Sequence, residues 1–180
     1  MIRLDDKRNI YRLLPLVAIS LFAYYQIAFH VEQTDFTQLI IYYSLAFISF
    51  IGLYIRFKEH QSLLLVLSIS FRVIFLFSIP ELSQDVYRYI WDGHLIVNGF
   101  NPYLTSPDEL MQAAEPPFAL ANELYPELTD LNAANQSNYP PISQLFYWLS
   151  AFISPVAIYG SVLFLKAVLF SADILVYKIA

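Results

Sequence analysis

The sequence contains no cysteine, so neither a disulfide framework nor a thiolate metal site is available to the chain. Charge is also scarce: only 14% of the 180 residues are charged, whereas 58% are hydrophobic and 17% are aromatic. An ordinary soluble domain has about 25% charged residues. The basic residues are few and scattered, which argues against a nucleic-acid-binding surface. This balance indicates an integral membrane protein in contact with a lipid bilayer.

Three apolar runs occupy the first 80 residues, at 13–29, 38–55 and 62–80. At about 1.5 Å per helical residue, each run is long enough, or nearly so, to cross a bilayer. The third run contains Arg72, and a central arginine costs about 2.5–3.5 kcal/mol on insertion. We therefore treat Arg72 as an intramembrane charge that needs a buried partner.

A fourth span is predicted at 156–180, whereas 142–154 is too short to cross and is predicted to be interfacial or re-entrant. That arrangement returns Lys178 to the cytoplasmic side. Lys166 and Asp173 are seven residues apart, so they share one face of the fourth span. The chain ends within an apolar pattern, and we expect further helices in the complete protein.

The distribution of charge predicts the orientation, because cytoplasmic segments are enriched in basic residues. Residues 81–141 contain nine acids and a single base, Arg88, and eight of the ten prolines lie from Pro80 to Pro141. Such a segment fits an extracytoplasmic loop. The basic residues that place the other segments in the cytoplasm are Arg3, Lys7, Arg8, Arg12, Arg56 and Lys58.

The predicted fold is therefore an all-α integral membrane protein with about four transmembrane helices and a long extracytoplasmic loop containing short helices. Three regions are expected: a cytoplasmic N-terminus with three spans at 1–80, a catalytic-type loop at 81–155, and a fourth span at 156–180. The expected location is a bacterial cytoplasmic membrane, with the N-terminus in the cytoplasm.

The most informative stretch is Ser83–Tyr103, SQDVYRYIWDGHLIVNGFNPY. It predicts a helix from about Gln84 to Val97 that stops at Asn98-Gly99, because glycine accepts the left-handed conformation there. Asp85, either Arg88 or Tyr89, and Asp92 fall on one face of this helix. The pattern alone fits two interpretations equally: a candidate active site at a membrane boundary, or a solvated helix with an internal ion pair.

Three motifs together resemble the polyprenol-phosphate-mannose-dependent mannosyltransferases with the C-type (GT-C) glycosyltransferase fold. They are Ser83–Gly93, Asn98–Tyr103 and Tyr139–Gln144, and Arg72 and the Lys166/Asp173 pair are also similar to the family. The resemblance covers residues 60–180, which corresponds to the amino-terminal part of a full enzyme. It implies transfer of a sugar, expected to be mannose, from a polyprenyl-phosphate donor to a glycan or lipid-linked acceptor, with inversion.

The same resemblance implies roles for individual residues. Asp85 matches the general base, and Asp92 is a second carboxylate that supports the acceptor or the helix geometry. Arg88 or Lys166 is expected to hold the lipid phosphate, because a leaving phosphate needs cationic stabilisation. The full set of expected substrate-binding residues is Arg88, Tyr89, Trp91, Tyr103, Tyr139, Gln144 and Lys166.

Two positions depart from the family pattern. Gln84 stands where many relatives have a second acid beside Asp85, which weakens any metal site built from adjacent carboxylates. A divalent cation is the only cofactor considered, and no metal ligand is assigned. His94 stands where an arginine is expected, and we predict a surface or interface histidine there.

Other functions fit parts of the pattern. A related enzyme on the same scaffold would use another donor sugar, such as glucose or arabinose. A non-catalytic membrane protein, such as a transporter or assembly subunit, would line a path across the whole bilayer with charge. An inactive fragment of an enzyme is the remaining alternative.

Overall fold

The computed structural model describes residues 7–179, with side chains from residue 11 onward. These residues form helices and loops without any strand, which confirms the all-α prediction. Arg3 lies outside the described residues, as do the side chains of Lys7 and Arg8. The chain divides into two compact units, Met1–Leu82 and Ser83–Ala180.

The first unit consists of three helices, α1 (Lys7–Phe29), α2 (Phe36–Phe57) and α3 (Gln61–Leu76). Helix α2 begins where the Asp35 carboxylate accepts a hydrogen bond from the backbone N–H of Gln38, which satisfies one of the free donors at a helix start. Helix α1 packs against both of the other helices.

Two helices in the described part of the chain are long and apolar enough to cross a membrane, α1 from Tyr11 and α2. Only 17% of either segment is buried, and large side chains such as Phe22 and Ile48 are 53% and 65% exposed. A core helix of a soluble protein would hide such side chains, and large exposed apolar surfaces mark contact with a partner or a membrane. The two helices therefore favour a membrane protein.

Helix α3 is shorter than the predicted span at 62–80, because it ends at Leu76. The Ser78 hydroxyl donates to the carbonyl of Phe75 at 3.1 Å, and the residue before Pro80 is disfavoured in helical geometry. Arg72 consequently lies about one turn from the end of α3 rather than at its centre. Its side chain is exposed and lines an apolar cavity of about 250 Å³ within the first unit.

The second unit is arranged around α4 (Asp85–Val97), which packs against a helical hairpin of α8 (Pro141–Ile153) and α9 (Ile158–Ile179). Short helices fill the connection between α4 and α8: α5 (Pro107–Met111), α6 (Ala121–Leu124), a 3₁₀ turn (Tyr125–Glu127) and α7 (Asp130–Ala134). Ile90, Trp91 and Leu95 of α4 have no exposed surface and form the centre of the core.

The boundaries of α4 confirm the sequence prediction to within one residue. The helix ends in a Schellman motif, in which the Phe100 N–H donates to the Leu95 carbonyl and the Gly99 N–H donates to the Ile96 carbonyl. Gly99 has φ of 81°, a conformation that other residues adopt at a cost.

Helices α4 and α8 approach closely at Gly93. A Cβ atom at this position would overlap the backbone carbonyl of Tyr147 and come within 3.3 Å of the Ala151 methyl group. The close approach brings α4 and α8 together where both contribute side chains to the site described below.

We expect Gly93→Ala to lower the free energy of unfolding of the second unit by about 3 kcal/mol or more, since the added carbon must push two packed backbones apart. Trp91 and Trp148 are the protein's two tryptophans, so denaturant unfolding in mixed micelles followed by tryptophan fluorescence reports on this unit. Gly52→Ala is the control, because its Cβ meets only side-chain carbons of Leu16, at 3.1 Å or more. Equal unfolding transitions for Gly93→Ala and Gly52→Ala would contradict the close packing of α4 against α8.

Candidate active site

Asp85 is the first residue of α4 and is half-buried. Its backbone N–H donates to the Ser83 hydroxyl at 3.3 Å. Its carboxylate Oδ1 accepts a hydrogen bond of 3.1 Å from the side-chain amide of Asn132. A helix N-terminus is a favourable position for a carboxylate, and the hydrogen bond from Asn132 fixes the orientation of Oδ1.

A cleft of about 520 Å³ opens beside this carboxylate. Most of its lining is neutral and polar, and four of the nine residues that form it carry side-chain amides: Asp85, Arg88, Leu131, Asn132, Asn135, Gln136, Ser137, Asn138 and Tyr139. The Asn138 side chain is exposed and makes no hydrogen bond among the described residues. The cleft therefore offers hydrogen-bonding groups with little net charge.

Arg88 forms the floor of this cleft and is only 2% exposed. Its Nε donates to Asp92 Oδ1 at 2.8 Å. Its Nη1 donates to the backbone carbonyls of Asn132 and Asn135, the latter at 2.8 Å. These carbonyls lie at the C-terminal end of α7, where helix carbonyls lack partners within the helix. Arg88 thus caps α7 and fastens it to α4.

Asp92 has no exposed surface and is fully engaged by neighbouring groups. Its Oδ1 accepts from Arg88, and its Oδ2 accepts from Gln144 Nε2 at 2.8 Å. The same Gln144 nitrogen donates to the Ser137 hydroxyl at 2.7 Å. Asp92 and Gln144 therefore connect α4, α8 and the loop after α7, behind the wall of the cleft.

A tyrosine cluster lies beside the cleft. Tyr89 stacks on Tyr147 with ring centroids 4.7 Å apart and meets Tyr139 edge to face at 5.0 Å. Burial is the main cause that raises the pKa of all three phenols, that of Tyr147 to about 12, and the charge of Asp85 also contributes. At neutral pH these hydroxyls stay protonated and act as hydrogen-bond donors or acceptors, not as bases.

Tyr103 contributes through its hydroxyl, which donates to the backbone carbonyl of Tyr139 at 2.7 Å. Its ring is 39% exposed. A second link between the same two loops joins the Ser137 N–H to the Pro102 carbonyl at 2.8 Å. The Asn-Pro-Tyr motif therefore supports the loop that carries Tyr139.

Two expectations from the sequence are wrong for structural reasons. Trp91 is fully buried against Phe118 and Tyr125, so in this structure its ring is not accessible to a sugar. His94 is 3% exposed and stacks on Phe118 in the core, whereas a surface or interface histidine was expected. Burial lowers the pKa of His94, so this side chain is neutral at pH 7.

The remaining predicted residues lie elsewhere. Lys166 and Asp173 are on α9, are partly buried and do not line the cleft. Arg72 belongs to the first unit. Among the side chains that the structure describes, residues 11–179, no three histidine, aspartate or glutamate side chains come together in a group that fits a metal ion.

Comparison with protein families gives a match over residues 16–179 to the model described as alpha-(1->6)-mannopyranosyltransferase, N-terminal domain. The chain belongs to this mannosyltransferase family. Neither the curated proteins nor the solved structures give a significant match. The prediction of a mannosyltransferase from three short motifs is thus confirmed at the level of the family. Membership supports glycosyl transfer in general terms and implies a sugar donor and a glycan acceptor.

The asparagines that shape the cleft were not predicted. Asn132 in α7, and Asn135 and Asn138 after it, recur every third residue, far from Asp85 in sequence. That spacing is the only signal that points to them, and it does not reveal which helix they face. Their position depends on Arg88, since that side chain holds two of their backbone carbonyls.

Removing Arg88 should destabilise this mannosyltransferase domain strongly. We expect Arg88→Met to lower the free energy of unfolding by about 3–5 kcal/mol, because a buried Asp92 carboxylate loses its counter-charge. The double variant Arg88→Met/Asp92→Leu removes that uncompensated charge and should recover part of the loss. Denaturant unfolding of Arg88→Met, of Asp92→Leu and of the double variant measures the coupling energy between the two side chains. Additive effects of the two substitutions would contradict a buried, coupled pair.

Proposed function

We propose that this domain is the catalytic-type part of a membrane enzyme that transfers mannose from a polyprenyl-phosphate donor to a hydroxyl group of a glycan or lipid-linked acceptor. The observation that carries the proposal is the Asp85 carboxylate, which starts α4, borders an amide-lined cleft and has one oxygen held by Asn132. A general base must be ionised and within reach of the proton that it removes.

In the proposed step, the acceptor hydroxyl gives its proton to Asp85 as its oxygen forms a bond to C1 of mannose. The bond between C1 and the phosphate oxygen breaks at the same time, and its electron pair leaves with the polyprenyl phosphate. Attack opposite the leaving group inverts the anomeric centre. The family description suggests that the acceptor oxygen is at a 6-position of the acceptor sugar.

The lining of the cleft supports a neutral sugar as ligand. Amide side chains both donate and accept hydrogen bonds, which suits the paired hydroxyl groups of a hexose. Asn138 is exposed, without an internal partner, and Tyr139 borders the same space. The Tyr103 ring is partly exposed, and its hydroxyl is bonded to the carbonyl of Tyr139. An aromatic face in this position can pack against a sugar.

Arg88 and Asp92 have a positioning role in this proposal. Arg88 donates from Nε and Nη1 to a carboxylate and two carbonyls, and its Nη2 has no partner among the described residues. Because the side chain is almost completely buried, we assign it to positioning rather than to the lipid phosphate. Lys166 on α9 remains the proposed cation for that phosphate. Asp92 supports the shape of the site rather than contacting the acceptor, since it has no exposed surface.

We further propose the GT-C arrangement in the membrane, with α1, α2, α3 and α9 as spans and residues 81–155 on the extracytoplasmic side of a bacterial cytoplasmic membrane. The apolar surfaces of α1 and α2 support it. The excess of acids over bases between residues 81 and 141 also supports it, because translocated segments are poor in basic residues.

The test is a transfer assay on membranes that contain the protein, with labelled polyprenyl-phosphate-mannose and a panel of glycan acceptors. We expect Asp85→Asn to lower kcat/KM by about 10²–10⁴-fold, since an amide cannot accept the proton. Glu115→Gln is the matched control, because it removes an exposed carboxylate of the same unit with no contact to the cleft. Retained transfer in Asp85→Asn would remove Asp85 as the base. Donors that carry glucose or arabinose test the choice of sugar.

A further inference from the structure

Asn132 is held at three points, one at the start of its own helix and two by residues of α4. Its backbone N–H donates to the Thr129 hydroxyl at 3.1 Å, which caps α7. Its backbone carbonyl accepts from Arg88 Nη1. Its side-chain amide donates to Asp85 Oδ1 at 3.1 Å, across 47 residues of sequence. The backbone of Asn132 is therefore fixed independently of its side chain, and the side chain is directed at the candidate base.

We infer that Asn132 is the positioning residue for Asp85, an inference that rests on the function proposed above. Donation to Oδ1 orients the carboxylate and leaves Oδ2 for the acceptor hydroxyl. A side chain held by a neighbour that is itself fixed keeps its geometry through the reaction. The buried Arg88–Asp92 pair also fixes Asn132, because Arg88 donates a hydrogen bond to the Asn132 carbonyl.

An amide fits this task better than a charged group would. A lysine or arginine on Oδ1 would form an ion pair that makes the carboxylate a weaker base, whereas a second carboxylate would repel it. A neutral N–H donor stabilises the anion to a smaller degree and leaves it able to take a proton. The charged and titratable side chains around Asp85 are Arg88 on its own helix and Tyr89, Tyr139 and Tyr147.

The closing experiment compares the pH dependence of kcat/KM for the acceptor in wild-type protein, Asn132→Ala and Asn132→Asp. Both variants keep the backbone carbonyl that Arg88 holds, so the fold is preserved by design. We expect Asn132→Ala to lower kcat/KM by about tenfold or more, because the reacting oxygen is no longer held in place. We expect the acidic limb of the profile to move to higher pH in both variants, and by about one unit or more in Asn132→Asp, where a second carboxylate faces Asp85.

Asn135→Ala is the matched control. Asn135 also gives its carbonyl to Arg88, but its side-chain amide donates to the Leu131 carbonyl at 2.9 Å and not to Asp85. Whatever this variant does to the rate, it should leave the acidic limb at the wild-type pH. A loss of activity caused by general destabilisation would not move that limb either, so its displacement separates positioning from structural support.

The two proposals fail in different ways. In the first case, both Asn132 variants keep the acidic limb at the wild-type pH, and Asp85→Asn loses transfer. That result would overturn the role of Asn132 and leave the proposed function intact. Retained transfer in Asp85→Asn would overturn the function itself. If Asn132→Asp is inactive at every pH, the limb of Asn132→Ala decides: an upward shift supports the inference, and an unchanged limb overturns it.

Discussion

The second unit depends on one buried ion pair, Arg88 with Asp92. Both side chains are almost completely removed from solvent, and further hydrogen bonds offset part of the cost of burying the two charges. Only Nη2 of Arg88 has no partner in this pair among the described residues. Gln144 supplies the second hydrogen bond to the carboxylate, and two backbone carbonyls of the α7 segment accept from the guanidinium. The need to satisfy these charges joins three separate parts of the chain.

This constraint explains how two carboxylates on one helix face serve different purposes. Asp92 is enclosed and neutralised, so it sets geometry. Asp85, seven residues earlier, lies at the helix start beside the open cleft and is held by a neutral amide. Both groups are aspartate carboxylates, so the environment of each one distinguishes the structural acid from the proposed catalytic acid. The Gly93 contact between α4 and α8 allows Gln144 to reach Asp92.

Much of this arrangement follows from local patterns in the sequence. The helix from Asp85 to Val97, its stop at Gly99 and the shared face of its charged residues depend on neighbours within a few positions, and so they were predictable. Whether that face meets water or protein was not predictable, because burial depends on contacts with α7 and α8, 40 to 60 residues away. The same limit explains why Trp91 was expected to contact substrate and why His94 was expected at the surface or an interface. It also explains why Asn132 was missed, because its importance comes only from its contact with Asp85.

The most direct test of this account is hydrogen exchange of the backbone amides at residues 130–139 in Asp92→Asn. The substitution keeps the shape of the side chain but removes the charge that holds Arg88. We predict faster exchange across 130–139 than in the wild type, because the α7 carbonyls lose their anchored donor. The amides of α2, in the other unit, should exchange at the wild-type rate. Unchanged exchange at 130–139 would contradict the central claim that the buried ion pair holds the loop around Asp85.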